Sequence, residues 1–397
     1  MGTIRHIAVV VLVCALTAVC AQASEGPTAR MDAMLTWQSD PPLDAGMKKV
    51  VDSLVSPMVT SRRHVGITVG IINGDKRWVL SYGRKALGDD TPPNADTLYE
   101  IGSVTKTFTT SSLAILASQG KVKMADPLSK YLPKSVRVPS YKGKQITLEH
   151  LAVHTSGLPR MPSNFIDLDT STMANPYAAY SPADAYKFLA GYRLKSAPGK
   201  KSDYSNLGVG LLGLALSRSM GATYEEMVTS LVCEPLGLKD TVITLSPDQR
   251  SRLAPGYTLK HKDKGFNKVP VANWTFQDSF AGAGALRSTA NDMLTYLAAH
   301  MGASETSLYK TFQPMQRMRF KESEFSGVGL GWQILNIPDQ VPNTIWHNGG
   351  TGGYCSFIGF WPERKVGVVI LSNTSSLEDS EEDEDVAGLK LLVVLAS

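Results

Sequence analysis

Two strand-turn-strand patterns near opposite ends of the chain restrict its fold more than any other feature. Val65 to Ile72 and Lys76 to Tyr82 flank Asn73-Gly74, whose tolerance of positive φ suits a two-residue hairpin turn. Near the other end, Tyr354 to Phe360 and Val366 to Leu371 flank a turn through Trp361-Pro362-Glu363-Arg364-Lys365. A lone hairpin is marginal in water, so two of them at the extremities predict one α/β domain built from both termini. The apolar stretch Val386 to Leu395 then packs as a terminal helix against that sheet.

The middle of the chain reads differently. Thr105 to Ser118 predicts a helix closed by Gly120, with Phe108, Leu113, Ile115 and Leu116 as apolar contacts. Leu148 to Val153, Pro182 to Ala190, Leu207 to Arg218 and Tyr224 to Val232 are further helical stretches, separated by turns such as Asp126-Pro127 and Ala197-Pro198-Gly199. The expected fold class is α/β (α+β): a sheet domain from 24–119 and 276–397, with a mainly helical inserted domain over 120–275. His261 to Asn273, polar and lysine-bearing, is expected as a surface loop. The acidic run from Glu378 to Asp385 is read as a solvated helix start, since acids favour a helix N-terminus. As a calcium loop it lacks the ligand spacing and the central glycine.

Length and charge exclude several function classes. The 397 residues suffice for one large core or two lobes. Forty basic against 36 acidic side chains give a formal charge of +4, too even a balance for a dedicated nucleic-acid binder. No internal repeat, P-loop or dinucleotide fingerprint is present. A basic start at Arg5, an apolar run from Ile7 to Val19 and the small-x-small site Ala21-Gln22-Ala23 describe a secretory signal peptide over 1–23. Cys20 opens a lipoprotein route as the alternative, against which stands the bulk of Val19. The apolar run is shorter than the roughly 20 residues that span a bilayer, so stable membrane insertion is not expected. Removing the leader leaves Cys233 and Cys355, which allow one bridge or two inert thiols.

Three short motifs carry the chemistry. In Glu100-Ile101-Gly102-Ser103-Val104-Thr105-Lys106, a helix starting near Ser103 places Ser103 and Lys106 one turn apart on the same face. A lysine kept near neutrality by burial can activate that hydroxyl, and the helix start offers an amide to an oxyanion. Tyr204-Ser205-Asn206 sits between a turn and an apolar helix, where the phenol can relay protons and Asn206 can bind an amide through donor and acceptor. Trp346-His347-Asn348-Gly349-Gly350 precedes the second hairpin; its glycines admit a substrate close to the backbone. His347 can orient the tyrosine network, or bind a carboxylate when protonated. Each motif alone is weak evidence: a capping serine, a capping asparagine and a surface turn are the plain alternatives.

Taken in order, these motifs resemble the penicillin-recognising serine hydrolases, in the branch of class C β-lactamases, D,D-peptidases and esterases. Asp126-Pro127-Leu128, His154-Thr155-Ser156-Gly157-Leu158-Pro159 and Gly284-Ala285-Leu286-Arg287-Ser288-Thr289 support the resemblance, which covers almost the entire mature chain. It implies a β-lactamase-like fold: an antiparallel sheet flanked by helices, and an active site in the cleft beside the helical insertion. It further implies that Ser103 is the acylated nucleophile, Lys106 its proton acceptor and Tyr204 the general acid and base. Asn206, His347, Asn348 and Gly349 would contact substrate, and the backbone amides of Ser103 and Gly350 would form the oxyanion hole. No cofactor and no metal is implied. His347 stands where class C β-lactamases carry lysine, and Asn348 replaces the usual threonine or serine.

The motif context is most similar to periplasmic D,D-carboxypeptidase/endopeptidases, with peptidoglycan peptides or β-lactams as the small substrates. A β-lactamase, a small-ester hydrolase, and a penicillin-binding sensor without turnover are the alternatives. His150 and His154 invite comparison with a metal pair, but the metalloprotease glutamate is missing and Ser156-Gly157 ends the helix, so a structural role is expected.

Overall fold

The structure, a computed structural model, describes residues 42–61, 63–165, 175–262, 265–338, 341–375 and 383–396. The expected leader lies outside these residues. Helix α1 (Ala45–Thr60) leads into the first hairpin, β1 (Gly66–Asn73) and β2 (Lys76–Gly83), which turns at Gly74 with φ of 64°. The remaining strands of the main sheet come from the far end: β3 (Phe320–Lys321), β4 (Ser326–Val328), β5 (Gln333–Ile337), β6 (Val341–Gly350), β7 (Cys355–Trp361) and β8 (Val366–Ser372). They join in the order β2-β1-β8-β7-β6-β5-β4-β3, with antiparallel pairing throughout. The two end hairpins meet directly, from Ile67 opposite Ser372 to Asn73 opposite Val366.

Strand alternation gives the sheet two buried faces. Ile67, Val69, Ile71, Trp346, Phe357, Val368 and Ile370 share one core with α1 and the terminal helix. Ile358, Phe360, Val369 and Leu371 face the other, larger core. The result is a mixed α/β fold with an antiparallel sheet flanked by helices and an inserted helical region.

The helices between the hairpins are α2 (Thr105–Ser118), α3 (Leu148–Ala152), α4 (Pro182–Gly191), α5 (Asn206–Met220), α6 (Asp278–Gly284) and α7 (Ala290–Met301). α2 is buried from Thr105 to Leu116 although more than half of that run is polar. Its hydroxyls are satisfied: Thr110 and Ser112 donate to carbonyls one turn back, Thr109 pairs with Tyr224 Oη at 2.7 Å, and Ser111 with Tyr296 Oη at 2.9 Å. Satisfied hydroxyls avoid the penalty of orphaned buried polar groups, so a polar helix can occupy the centre. α5 and α6 approach at glycine: a Cβ on Gly213 would lie 3.0 Å from Gly282 Cα, and one on Gly210 would collide with the Ser279 carbonyl.

Several elements differ from the sequence reading. Gly256–Lys262 and Gly265–Val271 form an antiparallel hairpin, extended in parallel by Thr374–Ser375, where His261 to Asn273 was expected as a loop. Lys268 stands on the outer strand, Gly265–Val271, where charge on an edge blocks further pairing. The helix expected over Tyr224 to Val232 is regular to Val228 and widens into a π turn over Thr229–Cys233. The terminal helix α8 (Asp383–Ala396) starts in the acidic run, but Glu384 and Asp385 are buried rather than solvated. Glu384 Oε1 lies 3.3 Å from His64 Nδ1, and Asp385 accepts from Asn348. Glu378, Asp379, Glu381 and Glu382 lie outside the described residues. Both Cys233 and Cys355 are free thiols, and burial pushes Cys233 up to about 12. Among the described residues, no helix is long and apolar enough to cross a membrane.

The α5–α6 glycine contact yields a stability prediction. Gly210→Ala should lower the unfolding free energy by about 2–3 kcal/mol in a urea titration, because its Cβ meets backbone that cannot yield cheaply. Gly191→Ala, with open space around the added methyl, should be neutral or slightly stabilising.

Candidate active site

The Ser103 turn is set by its neighbours. Tyr99–Glu100 pairs with Arg287–Ser288, and Ile101 N–H donates to the Leu286 carbonyl at 3.1 Å. Gly102 then takes φ of 47°, which a Cβ would oppose, and a 3₁₀ turn over Gly102–Val104 feeds α2. The regular helix therefore begins at Thr105, two residues later than the motif suggested. The serine and lysine still meet, because a 3₁₀ turn brings residues three apart into line. Lys106 Nζ lies 2.8 Å from Ser103 Oγ and donates to the Ala283 carbonyl of α6 at 2.7 Å. Burial pushes this amine well below the usual lysine range, and the positive charge of Arg160 lowers it further.

The segment from His154 to Arg160 acts as a template for the Tyr204 loop. His154 adopts φ of 58° and receives the Ser205 N–H on Nδ1 at 3.1 Å. Its ring centre is 4.4 Å from that of Tyr204. Ser205 Oγ donates to the Pro159 carbonyl at 2.6 Å and caps α5 by accepting from Gly208 N at 2.8 Å. The Arg160 carbonyl accepts from Asn206 N at 3.1 Å. Tyr204 is thereby brought to Lys106, whose Nζ is 4.9 Å from the ring centre. His150 instead closes the N-terminal cap of α3 through Thr147, so the two histidines have separate partners and do not share a helix face.

β6 lines the opposite side. Gly349 Cα packs so closely on the Ile101 carbonyl and Ser103 N that a Cβ would collide with the former and lie 2.9 Å from the latter. A Cβ on Gly102 would sit 2.7 Å from Gly350 N, so the backbones carrying the Ser103 and Gly350 amides are in contact. His347 is buried, its ring centre 6.2 Å from that of Tyr204. Its Nδ1 is 2.6 Å from the Asn348 carbonyl, which can only accept, so Nδ1 carries the proton and Nε2 remains an acceptor. Burial pushes this imidazole down to about 3. That corrects the notion of a protonated His347 binding a carboxylate: a buried ring beside an amine stays neutral. Asn348 also departs from the substrate-contact role. By alternation it shares the Trp346 and Phe357 face, and its amide donates to Asp385 of α8 at 2.6 Å.

Asn206 extends the site toward an aromatic wall that the sequence reading missed. Its Nδ2 lies 3.4 Å from Tyr177 Oη, and Oδ1 is buried without a partner among the described residues. Tyr177 stacks on Phe276 at 4.6 Å and meets Trp274 at 5.2 Å. Glu100 was missed as well: it accepts from Trp274 N at 2.8 Å and pairs with Arg287 at 3.4 Å, tying that wall to the strand before Ser103. No local spacing signals either feature, since the partners are far apart in the chain.

The sheet, the helical insertion and the Ser-x-x-Lys turn at the head of a buried helix define a serine-hydrolase fold class. The chain belongs to the beta-lactamase family, whose sequence model, described as Beta-lactamase, matches residues 51–392. It is 30% identical over 369 residues to the D-alanyl-D-alanine-carboxypeptidase/endopeptidase AmpH of Escherichia coli (strain K12), covering 88% of this chain and 91% of that protein. A beta-lactamase of Pseudomonas fluorescens is 28% identical over 363 residues, covering 82% and 93%. Among solved structures, the beta-lactamase/D-alanine carboxypeptidase from Yersinia pestis complexed with citrate superposes with a TM-score of 0.73 at 26% identity, covering 88% of this chain and 99% of that one.

Neutral buried histidines make a pH prediction. His347 and His300 sit near 3 in the fold against an ordinary 6.5. Between those values the unfolded chain binds more protons, so their contribution is present above about pH 6.5 and is lost as pH falls. Each contributes a slope of about 1.4 kcal/mol per pH unit within that window. Urea titrations from pH 7.5 to 5 should show His347→Gln losing one such increment of slope relative to the wild type.

Proposed function

We propose that this protein is an exported serine acyl hydrolase that cleaves D-amino-acid peptides of peptidoglycan through an acyl-enzyme on Ser103. The observation that carries the reading is the buried Lys106 amine, 2.8 Å from Ser103 Oγ and depressed toward neutrality. A neutral amine can accept the hydroxyl proton as the oxygen attacks a carbonyl carbon. The Ser103 and Gly350 amides receive the developing oxyanion, and Tyr204 delivers a proton to the departing amine. Water, losing its proton to Tyr204, then attacks the acyl carbon, and Lys106 returns its proton to Ser103 Oγ as that oxygen departs. His347 Nε2 accepts a hydrogen bond in the cleft. The Asn206 side chain receives the substrate amide. A leader over 1–23 places the enzyme in the periplasm or outside the cell.

The substrate class rests on similarity to the carboxypeptidase/endopeptidase AmpH and on the neutral histidine where class C β-lactamases have lysine. Intact-mass analysis after exposure to penicillin should show one adduct on the wild type and none on Ser103→Ala. The purified mature enzyme should release D-alanine from, or sever cross-links in, muropeptides. Ester turnover far above peptide turnover would remove the wall substrate, and an adduct that never leaves would make the protein a binder. Lys106→Met should slow acylation by about 10²–10⁴-fold, the usual range for a lost general base, with the fold checked by circular dichroism.

A further inference from the structure

We propose that Arg160 is the carboxylate anchor of the cleft, selecting acyl donors whose departing amine bears a free carboxylate. The inference rests on the acyl-transfer reading above and adds the residue that reads the leaving group.

Recognition of an anion requires a charge that survives in the site. Lys106 does not supply it: its amine is buried between Ser103 and the Ala283 carbonyl and depressed toward neutrality. His347 and His154 do not supply it either, because burial holds both imidazoles neutral. Arg160 is different in kind. Its side chain is exposed, and among the described residues no carboxylate lies in ion-pair contact with it. A guanidinium also presents paired donors in the planar fork that matches a carboxylate.

Its position is fixed rather than casual. The Arg160 carbonyl accepts from both Asn206 N and Leu207 N, at 3.1 and 3.3 Å, so this residue moves with the loop that carries Tyr204. The guanidinium carbon lies 5.0 Å from the Tyr204 ring centre. Tyr204 is the group that protonates the leaving amine. In an α-amino acid, the carboxylate oxygens sit only about 3 Å from that amine. An amino acid departing past Tyr204 therefore carries its carboxylate toward Arg160. The Arg160 charge also acts on Lys106, His154 and Tyr177.

The test compares two substrate pairs: an N-acyl-D-alanyl-D-alanine against its C-terminal amide, and benzylpenicillin against its methyl ester. kcat/KM is measured for the peptides, and the Ser103 acylation rate by intact mass for the penicillins. Wild type should prefer each free carboxylate, and Arg160→Gln should reduce that preference about tenfold, with Arg160→Lys keeping part of it. Because Arg160 is exposed, 1 M salt, at roughly a 3 Å screening length, should also erode the wild-type preference. Equal losses on both members of each pair would assign Arg160 to holding Tyr204 and overturn the anchor, as would an unaltered preference. If no peptide is cleaved while penicillin still acylates Ser103, the peptidase reading falls and the penicillin pair alone decides on Arg160. If nothing acylates Ser103, both readings fall.

Discussion

The whole site depends on keeping one lysine amine out of water. Lys106 Nζ is held between Ser103 Oγ and the Ala283 carbonyl, and burial pushes the amine well below the usual lysine range. Burying an ammonium is expensive, so burial favours the neutral amine, which is the state that nucleophile activation requires. Three separate pieces of chain must cooperate. α2 brings the amine, α6 brings the carbonyl, and the glycine contact between α5 and α6 lets that carbonyl come near enough. A polar helix could not occupy the centre without partners for its threonines and serines, and those partners come from Tyr224 and Tyr296.

β6 shows how one strand serves two purposes. His347 and Gly349 lie toward Ser103 and Tyr204, while Trp346 and Asn348 take the opposite face, where α8 covers the sheet. The Asn348 amide and the Asp385 carboxylate join strand to helix, and His64 with Glu384 makes a second buried polar contact to the same helix. Asp385 thus clamps α8 to the back of β6. A carboxylate buried at that point needs its donors, because an unpaired buried charge destabilises strongly.

The electrostatics of the cleft follow from depth. Lys106, His154 and His347 are buried and pushed toward their neutral forms, whereas Arg160 is exposed. The outcome is a desolvated centre for the proposed acyl transfer, with a cation beside Tyr204. That separation lets proton transfer and anion recognition proceed without competing for the same group.

Much of the fold and the constellation was legible in the sequence. Asn73-Gly74 forced a hairpin, the far-end strands implied a shared sheet, and Gly120 closed α2. Ser103, Lys106, Tyr204 and the His347 to Gly350 run were visible as local patterns. Legibility failed where the deciding neighbour is distant. Polar Asn267 and Lys268 disguised the strand Gly265–Val271 as a loop, and Asn348 reads as a substrate contact unless its distant partner Asp385 is known. The charge on His347 and the aromatic wall around Tyr177 were equally invisible. A sequence determines which groups are present and which local turns they favour, since those follow from covalent chemistry and short-range sterics. Only the tertiary structure decides which of them lose water and what they meet in its place, and desolvation by distant neighbours sets their charge.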